Sequence, residues 1–315
     1  MSKFESQAFS ISFSKAWLAP KHWGTWLVGG LIVLLAFVPV TLRDRLAVAI
    51  ANRIFNLKAL KKRRAIADTN LKLCFPDMNA PEREQLMRKN MQIFTQLILG
   101  AGEMSVRSKR YLQNRIVVDG EEHIKAILDN NENFIILLPH SYPVDFLGTY
   151  FCTRGHDMCT MFKKTGDPIV DWAMAKQRTR FGGVIFERNA GIKTLIKATR
   201  AGYGCIYLPD EDFGPEASLM TPLFETTKAT LPVLGKMTKL SGAKVLPIYA
   251  GYDSELHKVK LYVNPAMEGF PSNDVEHDTL RMNQEVEKLI SRSPEQYMWT
   301  LKLFRTVEGS DQPRY

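Results

Sequence analysis

The chain has 315 residues, enough for one large α/β domain with additions or for two modest ones, and its 45% hydrophobic content is globular, which excludes a polytopic membrane protein. A formal net charge of +9 implies a negatively charged partner: nucleic acid, an anionic membrane, or an acidic substrate or carrier protein. Cys74, Cys152, Cys159 and Cys205 form no CxxC, and the six histidines form no HxxxH or HExxH pair. Reduced, mostly buried thiols on the cytoplasmic side and no metal centre are therefore expected.

Residues 1–22 are polar and aromatic, without a fold signal. Residues 23–42 (WGTWLVGGLIVLLAFVPVTL) then run without a formal charge, about the length that crosses a bilayer core. Trp23 and Trp26 stand where an interfacial aromatic belt would lie, whereas Gly29, Gly30 and Pro39 weaken a straight span. A transmembrane helix and a monotopic, hairpin-like anchor both remain open. After the run come Arg43, Arg45, Arg53, Lys58, Lys61, Lys62, Arg63 and Arg64, which by the positive-inside rule places the following body in the cytoplasm. The Lys61–Arg64 cluster fits either anionic headgroups or a solvated helix face.

Residues 43–110 read as a basic helical region. Leu46, Ile50 and Ile54 share one stripe, and Pro81 with Glu82 and Glu84 opens a helix that carries Met87, Met91, Phe94 and Leu97. From residue 111 to 306 the pattern changes to alternating β and α. Strands are expected at 116–118, 134–138, 184–186, 205–208, 245–249 and 258–263, and helices at 121–128, 144–152, 169–178, 191–200 and 231–240. This alternation predicts an α/β fold with a central mixed, largely parallel sheet flanked by helices. Alternation in the last strand (Val259, Leu261, Val263) suggests an edge wetted on one side. Residues 307–315 form a polar tail.

The organising stretch is FIILLPHSYPVD, Phe134 to Asp145: a fully apolar strand, then a loop bearing His140, then Pro143 and Asp145 opening a helix. On one helix His140 and Asp145 would point about 140° apart, so they can meet only if His140 lies on the loop. In that arrangement a carboxylate fixes the imidazole tautomer and leaves the other ring nitrogen to take a proton from an alcohol. A plainer reading is also available, with Asp145 offsetting the helix dipole and His140 a satisfied turn residue. If the strands ending near His140, Phe186 and Pro209 are neighbours, the loops HSYPVD, ERNAGIK and DEDFGPE meet at one sheet edge. They would bring together Arg188, Lys193, Asp210, Glu211, Asp212 and Glu216. The sequence holds no GxGxxG, GxxxxGK[ST] or GxSxG, so neither a nucleotide cofactor nor Ser141 as covalent nucleophile is indicated.

HxxxxD, FERNAGIK, YLPDEDFGPE, KATLP and PEQYMWTLK, in this order, resemble the lipid A late acyltransferase family across nearly the whole chain. The likeness is greatest to its last-acylation, myristoyl/lauroyl branch, since other branches usually carry HxxxxE. It implies a glycerolipid acyltransferase-like fold on a single-pass or monotopic anchor in the bacterial inner membrane, with the catalytic body in the cytoplasm. The donor would be an acyl–acyl carrier protein carrying twelve or fourteen carbons, and the acceptor a hydroxyl of a primary 3-hydroxyacyl chain on a Kdo2-lipid A precursor. By the same resemblance His140 is the general base and Asp145 its orienting carboxylate. Arg188 and Asp210 match positions needed for activity, Arg188 binding a phosphate or positioning the dyad and Asp210 holding that arginine. Lys193, Asp212 and Glu216 are further candidates for substrate binding or support. A thioester donor needs a base and oxyanion stabilisation, not a metal or cofactor. A membrane-bound glycerophospholipid acyltransferase with the same HxxxxD chemistry is the alternative enzyme. Charge alone would also fit a tethered nucleic-acid or lipid binder, but the motifs argue for no nucleic acid.

Overall fold

The apolar run at 23–42 does not form one helix. A computed structural model, which describes residues 5–310 and 312–315, splits it into α1 (Trp23–Leu35) and α2 (Val40–Ile54) with a turn at residues 36–39. Pro39 lacks an N–H to continue the ladder and biases Val38 away from helical backbone, which accounts for the break. Among the described residues no helix is long and apolar enough to cross a membrane, so the expected transmembrane helix is not formed.

Helix α2 is fixed to the body by two buried polar anchors. Arg43 Nη2 meets Glu103 Oε1 at 2.6 Å, and Arg115 Nε donates to the other Glu103 oxygen at 2.9 Å. Next to it, Asp44 accepts the Tyr252 hydroxyl at 2.5 Å and lies 2.6 Å from His257 Nδ1. Removing one partner would strand a buried charge, which typically costs about 3–5 kcal/mol. The helical region continues through α3 (Lys61–Cys74), α4 (Ala80–Gly100), α5 (Gly102–Val106) and α6 (Lys109–Asn114). The start of α4 is a capping box: Asn79 accepts from the Glu82 N–H, and Glu82 accepts from the Asn79 N–H.

From there strands and helices alternate as β1 (Ile116–Asp119), α7 (Glu121–Asp129), β2 (Phe134–Leu137), α8 (Val144–Cys152), β3 (Met158–Phe162), α9 (Pro168–Arg178), β4 (Val184–Glu187), α10 (Ile192–Arg200) and β5 (Gly204–Tyr207). A hairpin, β6 (Leu219–Leu223) and β7 (Thr226–Thr230), intervenes before α11 (Leu234–Ser241), β8 (Lys244–Asp253), β9 (Lys258–Val263) and α12 (Val275–Ser291). The main sheet has the order β1-β9-β8-β2-β5-β3-β4 and is parallel throughout except for β8 against β9. It is therefore the mixed, largely parallel sheet expected. The correction concerns β9, which is not an edge: β1 pairs along its outer side, and its alternate residues are only half-buried.

Both faces of the sheet carry core, because successive strand residues point to opposite sides. Ile135, Leu137, Cys205 and Val245 pack beneath α10, α11, α12, Tyr297 and Trp299, while Phe134, Ile136, Leu138 and Ile206 pack against α7 and α8. All four residues of β2 are buried, each such side chain contributing roughly 1.5–3 kcal/mol over an exposed one. That burial fixes where β2 ends, and so where His140 begins.

Candidate active site

Strands β2 and β5 lie side by side with Leu137 opposite Tyr207. Each is followed by Leu-Pro and then a polar residue: Leu138-Pro139-His140 and Leu208-Pro209-Asp210. His140 and Asp210 thus stand at the same distance past one register and meet above the carboxyl end of the sheet. Asp210 Oδ1 bonds the His140 ring at Nδ1, and its Oδ2 accepts the His140 backbone N–H at 2.7 Å. The Tyr297 hydroxyl donates to the same Oδ2 at 2.7 Å. His140 in turn accepts the Met298 N–H at 3.0 Å, which stitches the C-terminal segment to the loop.

Asp210 is buried, yet its pKa is lowered: burial works against the charge, but the His140 ring and the hydrogen bonds it accepts outweigh that cost. The His140 pKa is raised in step, the charge and hydrogen bond of Asp210 exceeding the opposing effect of burial. With Nδ1 held by the carboxylate, Nε2 is the nitrogen left to exchange a proton. The ring is 19% exposed and borders a cavity of about 600 Å³.

The cavity is lined mainly by apolar side chains, among them Met158, Val184, Ile185, Leu195 and Ile206, with the bare backbone of Gly148 on α8. Its charged and titratable lining comprises His140, Asp145, Lys163, Arg178, Arg188 and Glu211. A largely apolar chamber with a few convergent polar groups suits a ligand with a long hydrocarbon part and a reactive polar end.

The pairing expected between His140 and Asp145 is not the one made. Asp145 takes a bidentate bond from Arg178, at 2.8 Å to Nε and 3.1 Å to Nη2. The first turn of α8 points the carboxylate across to α9, while β5 delivers a nearer carboxylate to the ring. Asp145 still lines the same cavity. Arg188 is held by Glu211 at 2.6 Å rather than by Asp210, and lies over the Phe213 ring. Asp212 is turned away: it accepts the Thr306 N–H at 2.7 Å and hydroxyl at 2.8 Å, clasping the C-terminal segment. Lys193 and Glu216 are exposed and do not line the cavity.

Three residues given no role from sequence join this site, two of them, Lys228 and Tyr297, inside the KATLP and PEQYMWTLK blocks. Tyr297 orders Asp210, Arg178 balances Asp145, and Lys228 is buried behind the loop, donating to the Ala229 carbonyl at 3.1 Å. Burial pulls the Lys228 pKa down to about 8, against the attraction of Asp210, Asp212 and Glu211. The repeated Leu-Pro-polar ending was the one signal in the chain that could have matched His140 with Asp210.

An α/β body with a carboxylate–imidazole pair at the rim of an apolar chamber can exchange a proton with a ligand whose apolar part fills that chamber. The family model for bacterial lipid A biosynthesis acyltransferases matches residues 10–306, and the chain belongs to that family. It is 40% identical over 304 residues to a lipid A biosynthesis acyltransferase of Haemophilus influenzae, covering 96% of this chain and 94% of that one. It is 35% identical over 312 residues to the lipid A biosynthesis myristoyltransferase of Escherichia coli, covering 99% and 96%. To the E. coli lauroyltransferase it is 28% identical over 304 residues, covering 96% and 98%.

Proposed function

We propose that this acyltransferase of lipid A biosynthesis moves one fatty acyl chain of twelve or fourteen carbons from an acyl carrier protein thioester. The acceptor is a hydroxyl on a primary 3-hydroxyacyl chain of a Kdo2-lipid A precursor, at the cytoplasmic face of the bacterial inner membrane. The observation that carries this reading is the His140–Asp210 pair at the rim of the apolar cavity. His140 Nε2 takes the acceptor hydroxyl proton as the oxygen attacks the thioester carbonyl, and Asp210 stabilises the imidazolium that forms. The tetrahedral intermediate collapses with loss of the thiolate, which recovers the proton from His140. The acyl tail occupies the apolar part of the cavity, and Arg188 and Lys163 offer positive charge to phosphate at its rim. The net charge of +9 suits both an acidic carrier protein and an anionic lipid.

The test uses purified protein in mild detergent with acyl carrier protein thioesters and a penta-acylated acceptor, with the acceptor mass read by mass spectrometry. A gain of one acyl chain, lost in His140→Ala, is the expected result. Acylation of a lysophospholipid instead would overturn the acceptor, and a gain that survives His140→Ala would overturn the mechanism.

A further inference from the structure

We infer that Lys228, buried behind the turn that carries Asp210, is a positioning residue for the reaction, its ammonium offsetting the three carboxylates of that turn so that His140 stays free to act as a base. The inference deepens the function proposed above, since it takes His140 as that base. Lys228 sits on β7, is 1% exposed, and lies opposite Thr221 on β6. Its Nζ donates to the Ala229 carbonyl at 3.1 Å and to the Glu211 carbonyl at 3.4 Å, and among the described residues it makes no ion pair. Burying an ammonium without a paired carboxylate is costly, and an apolar side chain of similar length would fill the space without that cost. What offsets it is the charge of the turn beside it.

Asp210, Glu211 and Asp212 follow one another in that turn, and their side chains leave it for three different partners: His140, Arg188 and Thr306. The Glu211 carbonyl, in the middle of the three, turns to Lys228 instead. Burial pulls the Lys228 pKa down to about 8, while Asp210, Asp212 and Glu211 hold it up against that, so the ammonium remains charged at neutral pH. The attraction is mutual, and it bears on the base. Burial lowers the proton affinity of the His140 ring, Asp210 and then Glu211 raise it, and Arg188 opposes them. Arg188 is 38% exposed and screened by water, whereas Lys228 is dry, where a charge acts more strongly. Without Lys228 the carboxylates would keep the ring protonated to a higher pH, and a protonated ring cannot take a proton from an alcohol. The other groups nearby do not supply this balance. Tyr207, Tyr249 and Tyr297 feel Asp210 but are buried and stay protonated. In the cavity Asp145 is matched by Arg178, and Lys163 is exposed. Against the hairpin, α12 presents Asn283, which donates to Thr230 Oγ1 at 3.1 Å, and Glu287, which accepts the Phe224 N–H at 2.7 Å.

The full-length protein is treated over a range of pH with diethyl pyrocarbonate, which modifies neutral imidazole, and the modification of His140 is followed by peptide mass spectrometry. Single-turnover transfer is measured over the same range. Lys228→Met is expected to move the midpoint of His140 modification, and with it the rising limb of transfer, upward by about one pH unit, lowering the rate about tenfold on the acid side and less at the alkaline end. Adding Glu211→Gln to that variant removes a negative charge along with the positive one, and should bring the modification midpoint back toward that of the wild type. Lys228→Gln, which keeps an N–H for the Glu211 carbonyl, should shift the midpoint as Lys228→Met does, and takes its place if the methionine variant does not fold. An unmoved midpoint would overturn the inference and leave Lys228 a packing residue. A midpoint moved downward would overturn it as well, because Asp210 would then have left the ring. A midpoint that moves upward in a protein whose wild type transfers no acyl chain to any acceptor would instead sink the proposed function and leave the coupling of Lys228 to His140 standing.

Discussion

Asp210→Asn tests the site most sharply. The carboxylate accepts the ring of His140, the His140 N–H at 2.7 Å and the Tyr297 hydroxyl at 2.7 Å. Asparagine keeps the shape but removes the charge and offers one acceptor oxygen in place of two. With its oxygen kept on the two donors at Oδ2, its amide would donate toward Nδ1, forcing the proton onto Nε2, where a base must have none. The imidazolium formed in the transition state also loses its counter-charge. In the serine-protease triad the equivalent change costs about 10⁴ in kcat. Here we expect a fall of about 10³–10⁴, roughly 4–5.5 kcal/mol at about 1.36 kcal/mol per decade. The assay is single-turnover acyl transfer followed by mass spectrometry across pH, with circular dichroism and Tm as controls for folding. Catalysis needs neutral His140, so the wild-type rate should rise with pH through a value above the ordinary imidazole range, because Asp210 raises that pKa. In the variant burial still lowers the pKa while the raising effect of Asp210 is gone, so any residual limb should move to lower pH. A rate within tenfold of wild type with an unmoved limb and an intact fold would refute the pairing as the catalytic one.

Asp145→Asn and Arg178→Gln should each slow transfer, and the double variant should be little worse than the poorer single one, because the two side chains act as one bidentate pair; additive losses in a double-mutant cycle would separate them. Gly148→Leu should shift donor preference toward shorter chains, since a Cβ there meets only Ile206 Cδ1 at 3.8 Å and the rest of the side chain enters the cavity. Displacing two methylenes is worth about 1.6 kcal/mol, roughly 15-fold, in a competition between thioesters of different length. Gly102→Ala should destabilise the protein by about 1–3 kcal/mol by pushing α1 off α5, measured as a lower Tm.

Much of the fold was legible because its strands are long apolar runs bounded by Pro, Gly and charge. β2, β5 and β8 read clearly for that reason. β3 did not: Met158-Cys159-Thr160-Met161-Phe162 is poor in β-branched residues, and the strand exists because β4 and β5 pair with it on either side. The β6–β7 hairpin was hidden for a similar reason, being held by α12, where Asn283 donates to the Pro222 carbonyl at 2.9 Å. His140 was legible as a loop residue at a strand end. Its partner was not, because proximity in sequence favoured Asp145 while strand order, which no local pattern encodes, favoured Asp210. Arg178 lies 33 residues from Asp145 and Tyr297 lies 87 from Asp210, so no local spacing pairs them, although Tyr297 stands within the PEQYMWTLK block. The apolar run at 23–42 was read by its length, whereas Pro39 and the packing onto α5 and α9 decided its shape.

The clasp of α3 and α4 on the segment after α12 bears on how the protein is made. Asn70 grips the carbonyls of Trp299 and Leu301, Asn90 those of Glu295 and Tyr297, and Tyr297 completes the surroundings of Asp210. These C-terminal residues are synthesised after every strand of the sheet and after α12. A nascent chain therefore holds His140 and the cavity-lining helices before it has the hydroxyl that orders Asp210. A chain cut short of Tyr297 would lack both that donor and the carbonyls that Asn70 and Asn90 grip, so its loop would be left without the support of this segment.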